Sequence, residues 1–498
     1  MISLSHSFFS MNRFKKRWIA WTFLAAWIAI GAWNTTKPLP EGTNVSSQPA
    51  VSSGSTVKFF TDRTFKDIQG REHNEQQIFD AVFDIIDHAE TFVVADFFLF
   101  NEMMGAASSV HRRLGSELAQ HLVARKLVKS NLTVIVITDP INEVYGGPHS
   151  SLLEELRRAG VEVVTTDLST LRDSNPAYSA LWRMFIQWWG NAPDRGSMPN
   201  PFGGPSRITV RSWLALLNFK ANHRKVVVAD REDSNTVALV TSANPHDASS
   251  AHSNVGMQVE GDVARSILAS ELAVARFSGW RGQIQLPMPA ATLEAATDPV
   301  RAAYLTEAAI REHLLGAFGA TRSGDSIRIA VFYLADRQIV TSLLAAANRG
   351  VTVNLILDPN KDAFGRQKDG VPNRPVANEL VSEGGGRIDV RWYRTHGEQF
   401  HTKLALVTRG DTLTASLGSA NYTRRNIGNY NLEANLALDM TKTSPLAMQM
   451  LGYFDELWGN SAQSQEPQFT APFGAYQDTD RGRYWRYRLM EATGWSTF

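Results

Sequence analysis

The strongest constraint on this chain is that most of it repeats. Gln77 to Phe100 reads as a helical pattern followed by an apolar strand, and Ala309 to Leu334 has the same order. "NLTVIVITDPINEVYG" (Asn131 to Gly146) is answered by "GVTVNLILDPNKDAFG" (Gly350 to Gly365), each a strand, then Asp-Pro, then an aromatic residue and Gly. Asp139 thus corresponds to Asp358, Tyr145 to Phe364 and Gly146 to Gly365. A helix, a glycine stop and a strand follow in both copies. Then "HRKVVVAD" from His223 is matched by "HTKLALVT" from His401, and "TSAN" ending at Asn244 by "GSAN" ending at Asn421. The step from Asn244 to Asn254 equals that from Asn421 to Asn431. A repeat on this scale means two like structural units. Strands alternating with helices predict an α/β fold: two pseudo-symmetric lobes, each a mostly parallel or mixed sheet flanked by helices. A site at the lobe interface is then the natural place for paired polar residues.

A lone His-x-Lys beside a strand is normally a solvated pair. Two copies, each with its own Ser-Ala-Asn, are a different matter. Two lysines and two asparagines can cradle a tetrahedral anion. One imidazole can attack phosphorus while the other protonates the leaving oxygen, then turns base and activates water or an alcohol. The lysines supply the charge that a divalent ion would otherwise provide. This reading calls for no metal and no cofactor.

The two motifs resemble the His-x-Lys-x4-Asp signature of the phospholipase D superfamily with its Gly/Ser-Ser-x-Asn element. The resemblance runs from about Thr56 to about Leu457. It implies half-sites of His223, Lys225 and Asn244, and of His401, Lys403 and Asn421, with Asp230, Ser242 and Ser419 in support. It also implies His223 as nucleophile and His401 as acid and base. The family often has a later acidic residue holding the histidine's far nitrogen. Glu433 suits that role beside His401, where it would raise the imidazole's basicity. The copies depart from the pattern in two places. Thr408 stands where the second motif's aspartate belongs, and Gly256 stands at the place of Glu433, leaving His223 to another group such as Gln258 or Glu260. His246, His252 and His396 receive no role.

The 498 residues are 43% hydrophobic and carry a net charge of +1, so the chain can bury a core and shows no broad basic surface for duplex nucleic acid. The absence of cysteine excludes disulfides, thiolate metal sites and cysteine nucleophiles. Basic Arg13, Lys15, Lys16 and Arg17 precede the apolar Trp18 to Trp33, which reads as an uncleaved signal anchor with the catalytic domain extracytoplasmic; a cleaved signal peptide and secretion is the alternative. The expected order is an anchor at 1–40, a flexible linker at 41–55, a first lobe at 56–295, a second at 296–460 and a tail at 461–498.

The first lobe carries an insertion of about forty residues, around 172–215, in which Trp182, Phe185, Trp188 and Trp189 sit at helical spacing. It reads as a lid meeting lipid beside the cleft, or as an aromatic cluster on the lobe's core. The polar stretch Asn360 to Asn378 could select a head group or acceptor. The expected function is metal-independent phosphodiester hydrolysis or phosphatidyl transfer on phospholipids through a phosphohistidine. The alternatives are cardiolipin-synthase-like transfer, a nuclease of the same superfamily, and a catalytically silent lipid-binding scaffold. The expected partners are a phospholipid substrate, a membrane surface and a water or alcohol acceptor. Nucleic acid is not expected, and the chain reads as a monomer.

Overall fold

The computed structural model describes residues 5–67, 69–105, 111–203, 206–232, 235–284, 298–363, 366–459 and 468–498. The expected boundaries at 295–296 and 460–461 lie outside these, as do Phe364 and Gly365.

The duplication appears as two sheets with one strand order. In the first, Lys58–Lys66 is followed across the sheet by Asn254–Glu260, Thr236–Thr241, Lys225–Asp230, Phe92–Phe97, Thr133–Thr138 and Glu162–Thr165. In the second the same seats are taken by Val300–Thr306, Ala434–Thr441, Thr412–Gly418, Lys403–Arg409, Ser326–Val331, Thr352–Leu357 and Ile388–Tyr393. The last three strands of each series are parallel and the others antiparallel, because helices cross over only in that half. Ala50–Ser52, inside the stretch read as linker, pairs with Val300–Thr306, and Thr470–Pro472 of the tail pairs with Ile388–Tyr393.

The central strands are apolar on both faces because both faces are covered. Val226 and Val228 share a core with Leu404 and Leu406 of the other lobe. Their alternates Val227 and Ala229 pack on helices Ile78–Asp87 and Leu114–Val128 of their own lobe. Ala405 and Val407 likewise face helices Ala308–Gly319 and Arg337–Asn348. Period-two alternation therefore does two jobs: one set of side chains joins the lobes, the other builds each lobe.

The N-terminal expectation is corrected. No helix of the described residues is long and apolar enough to cross a membrane. This overturns the transmembrane anchor and the membrane-anchored placement that depended on it. The apolar run is short, its tryptophans contribute little hydropathy, and Thr22 interrupts it. Helix Ser5–Thr36 instead docks on helix Pro176–Leu181: the Trp27 Nε1 donates to the Ala177 carbonyl at 2.8 Å, and Phe23 stacks on Phe185. Within the insertion, Trp182 packs against Arg211, while Trp188 and Trp189 are exposed rather than buried in the lobe.

Asp230, the motif's last residue, sits at the far end of its strand from His223. Its carboxylate accepts the backbone N–H groups of Glu90, Thr91 and Phe92 and the Thr91 hydroxyl. It is a clamp on a neighbouring strand, five residues or about 17 Å along its own strand from Lys225. Thr408 occupies the matching place in the second lobe, where its buried hydroxyl has no partner. Asp230→Ala should therefore cost about 3 kcal/mol in urea unfolding, since it orphans several buried donors, and Thr408→Val less than about 1 kcal/mol. Equal effects at the two sites would contradict this.

Candidate active site

Each histidine lies just ahead of its strand, where the chain crosses from one lobe toward the other. The His223 N–H donates to the Leu432 carbonyl at 2.9 Å, and the Leu432 N–H to the Ala221 carbonyl at 3.1 Å. On the opposite side the Ser253 N–H donates to the Gln399 carbonyl at 3.1 Å, two residues before His401. These cross-lobe bridges bring the half-sites together. His223, Asn244, His401 and Asn421 all line one cavity of about 470 Å³.

The duplicated aspartates hold this geometry. Asp139 accepts the Asn222 N–H at 2.7 Å and Asp358 the Phe400 N–H at 2.8 Å, each one residue before a histidine. Burial pushes both carboxyls up to about 7, against the pull of those backbone donors.

The lysines are fully buried behind the histidines. Each donates to its own histidine's carbonyl at 2.6 Å, Lys225 to His223 and Lys403 to His401. Each also lies over an aromatic face, Lys225 over Phe98 at 5.2 Å and Lys403 over Phe332 at 5.3 Å. The same rings pack against the imidazoles, with centroid separations of 4.8 Å for Phe98–His223 and 5.1 Å for Phe332–His401. Phe98 and Phe332 were not singled out from the sequence, although each directly follows the apolar strand that opens its repeat.

The partner of Glu433 differs from expectation. Its Oε1 lies 2.8 Å from the His223 Nδ1, in the other lobe. The approach is close but departs from the alignment of a linear hydrogen bond. His401 Nδ1 instead meets the Asn254 Oδ1 at 3.1 Å. The reason is the cross-lobe bridging: Leu432 is tied to the segment before His223 and Ser253 to the segment before His401. The place of Glu433 in the first lobe thus belongs to Asn254. Strand register agrees, because Gly256 pairs with Thr241 where Asn435 pairs with Gly418. The second lobe has two more residues in this loop, and the equal asparagine spacing concealed the shift. Ser242 and Ser419 are equivalent: the Ser242 hydroxyl donates to the Asn254 Oδ1 at 2.9 Å, and the Ser419 hydroxyl donates to the Glu433 carboxylate. Gln258 and Glu260 are bonded to each other, not to His223.

Burial lowers His223 to about 4, with Glu433 opposing the shift, and lowers Lys225 to about 7. Burial alone would raise Glu433, but His223 and Lys225 outweigh it and hold the carboxyl below its ordinary range. At neutral pH the pair is therefore carboxylate and neutral imidazole. A proton on Nδ1, facing the carboxylate, leaves the Nε2 lone pair free to act as a nucleophile. His401 is pushed down by burial and then by Lys403. Its partner is a neutral amide, so it gains no comparable charge stabilisation.

Glu433 is itself positioned. Its N–H donates to the Glu307 Oε1 at 3.0 Å, and that oxygen also accepts from the fully buried Arg224 at 2.9 Å. Glu307 holds a backbone φ of 48°, a strained value for a non-glycine residue. Of the histidines given no role, His246 and His252 are buried in the cavity wall, His252 at 5.9 Å from His401.

Residues 320–458 match the family model described as cardiolipin synthase, PLD-like domain. That span lies within the second lobe, which is a phospholipase D-like domain, and the twin motif and repeated strand order extend the likeness to the first lobe. Among solved structures the chain is similar to the phosphatidylserine synthase of Haemophilus influenzae Rd KW20, with 11% identity and a TM-score of 0.53 over 93% of this chain and 97% of that one. It is also similar to Nuc, a phospholipase D family member from Salmonella typhimurium, with 20% identity over 33% of this chain and 97% of that one and a TM-score of 0.25. The first likeness concerns the fold alone and the second carries no further weight. No curated protein matches the sequence.

Glu433→Gln should lower kcat by at least about a hundredfold, because it removes the charge that stabilises the His223 imidazolium. Asn254→Asp should move the alkaline limb of the pH–kcat profile upward, since a carboxylate raises the pKa of His401. A Glu433→Gln enzyme of near wild-type rate would contradict the pairing.

Proposed function

We propose that this cleft transfers the phosphoryl centre of a phospholipid diester through a covalent phosphohistidine on His223. In the first step the His223 Nε2 forms a bond to phosphorus while the P–O bond to the leaving alcohol breaks, and protonated His401 gives that oxygen its proton. In the second, water or an alcohol gives its proton to His401 and attacks phosphorus, and the N–P bond breaks. Lys225 and Lys403 balance the phosphoryl charge from beneath, and Asn244 and Asn421 offer neutral donors at its sides. His401 must be protonated to act. A phosphodiester anion arriving beside it offsets the field of the two lysines and draws that proton in.

The observation that carries this reading is the convergence of His223 and His401 on a single cavity, one imidazole backed by a carboxylate and the other by an amide. That asymmetry supports His223 as nucleophile: the Glu433 charge steadies the imidazolium character it acquires on attack. His401, with its weaker partner, releases a proton more readily. Phe98, Leu99, Ile141, Leu216, Phe219 and Phe332 make the remaining walls largely apolar, which favours a lipid over a polynucleotide backbone.

The test is turnover of phospholipid vesicles and of single-stranded DNA by the purified protein, with chelator present. Phosphatidic acid or a transferred phosphatidyl product is expected. His223→Asn and His401→Asn should each lower turnover by at least about a thousandfold. Cleavage of DNA alone, or normal turnover by either variant, would contradict the proposal.

A further inference from the structure

The cavity wall also holds a cation without an ion-pair partner among the described residues. Arg425 is only 8% exposed and lines the cavity, yet among the described residues no carboxylate lies within ion-pair distance of it. Its Nη2 donates to the Gly494 carbonyl at 3.1 Å, to the Ser496 hydroxyl at 3.2 Å and to the Ser496 carbonyl. Its buried Nε has no partner. The guanidinium lies over Phe219, which lines the same cavity, at 5.1 Å. A buried charge left without an opposite charge costs several kcal/mol, so such a residue invites an anion from outside. A second cation, Lys368, lines the same cavity. The Lys368 ammonium donates to the Tyr333 hydroxyl and lies 5.2 Å from the centroid of Phe332, the ring that also covers Lys403. Lys368 is likewise without a carboxylate within ion-pair distance among the described residues, and Tyr333 lines the cavity with both cations.

Building on the phosphoryl-transfer reading, we infer that Arg425 and Lys368 form a second anion site in the same cavity. The substrate then carries, besides the phosphorus that His223 attacks, another negatively charged phosphate or carboxylate. A guanidinium suits this task because its planar donors meet two oxygens at once. The arrangement separates the roles: Lys225 and Lys403 serve the reacting phosphorus, while Arg425 and Lys368 fix the rest of the polar head.

Calorimetric titration of the full chain with inorganic phosphate, with methylenediphosphonate and with phosphonoacetate tests this directly. The two larger probes present a second phosphonate and a carboxylate respectively, so their order identifies the group preferred. At least one should bind about tenfold more tightly than phosphate. Arg425→Gln should remove that preference, a loss in keeping with a charge-assisted hydrogen bond. Lys368→Met, at a partly exposed position that folding tolerates, should reduce it by about threefold to tenfold. A preference that survives both substitutions overturns the second site and leaves the phosphoryl reading standing. Equal loss for phosphate and the larger probes on Arg425→Gln also overturns it, since that pattern marks a structural arginine. Binding of none of the three anions by the unsubstituted protein overturns both.

Discussion

The site depends on the main-chain bridges that cross between the lobes. Because the segment before His223 pairs with the one before Glu433, and the segment before His401 with the one before Asn254, each histidine is completed by the opposite lobe. Neither repeat can build a half-site alone. Backbone bonds at this crossing are also indifferent to side-chain identity, which lets the two halves diverge chemically while remaining superposable in topology.

That divergence is concentrated in one place. The histidines, lysines, asparagines, serines and covering phenylalanines are duplicated, but a carboxylate stands on one side and an amide on the other. The asymmetric residue has the most elaborate support. Glu433 is tied by its backbone to Glu307, which shares an oxygen with the buried Arg224, and Arg224 is the middle residue of the first motif. In the second copy that middle residue is Thr402, which bonds to the Ser253 carbonyl and approaches the Tyr453 hydroxyl instead. An ion-pair network of this burial is costly to assemble and more costly to break. It fits a structure that must hold one carboxylate against one imidazole.

Much of this was legible in the sequence because repetition is a register of its own. The α/β class, the two lobes and the residues His223, Lys225, Asn244, His401, Lys403 and Asn421 could be read from paired motifs. Which residue completes which histidine could not be read, since spacing along a chain says nothing about a crossing between lobes. The two-residue difference in loop length made Gly256 look like the counterpart of Glu433, when Asn254 is. Phe98 and Phe332 were hidden at the ends of apolar runs, where an aromatic residue over a lysine looks like any core residue. The N-terminal run carried a membrane-like composition, but its fate was decided by a docking surface on Pro176–Leu181 that no local pattern announces.

The most direct measurement is a rapid quench of the enzyme during turnover of a phospholipid diester, followed by mass spectrometry of its peptides under alkaline conditions that preserve phosphohistidine. The crossed pairing of Glu433 with His223 predicts the covalent adduct on residue 223. An adduct on residue 401 would contradict it.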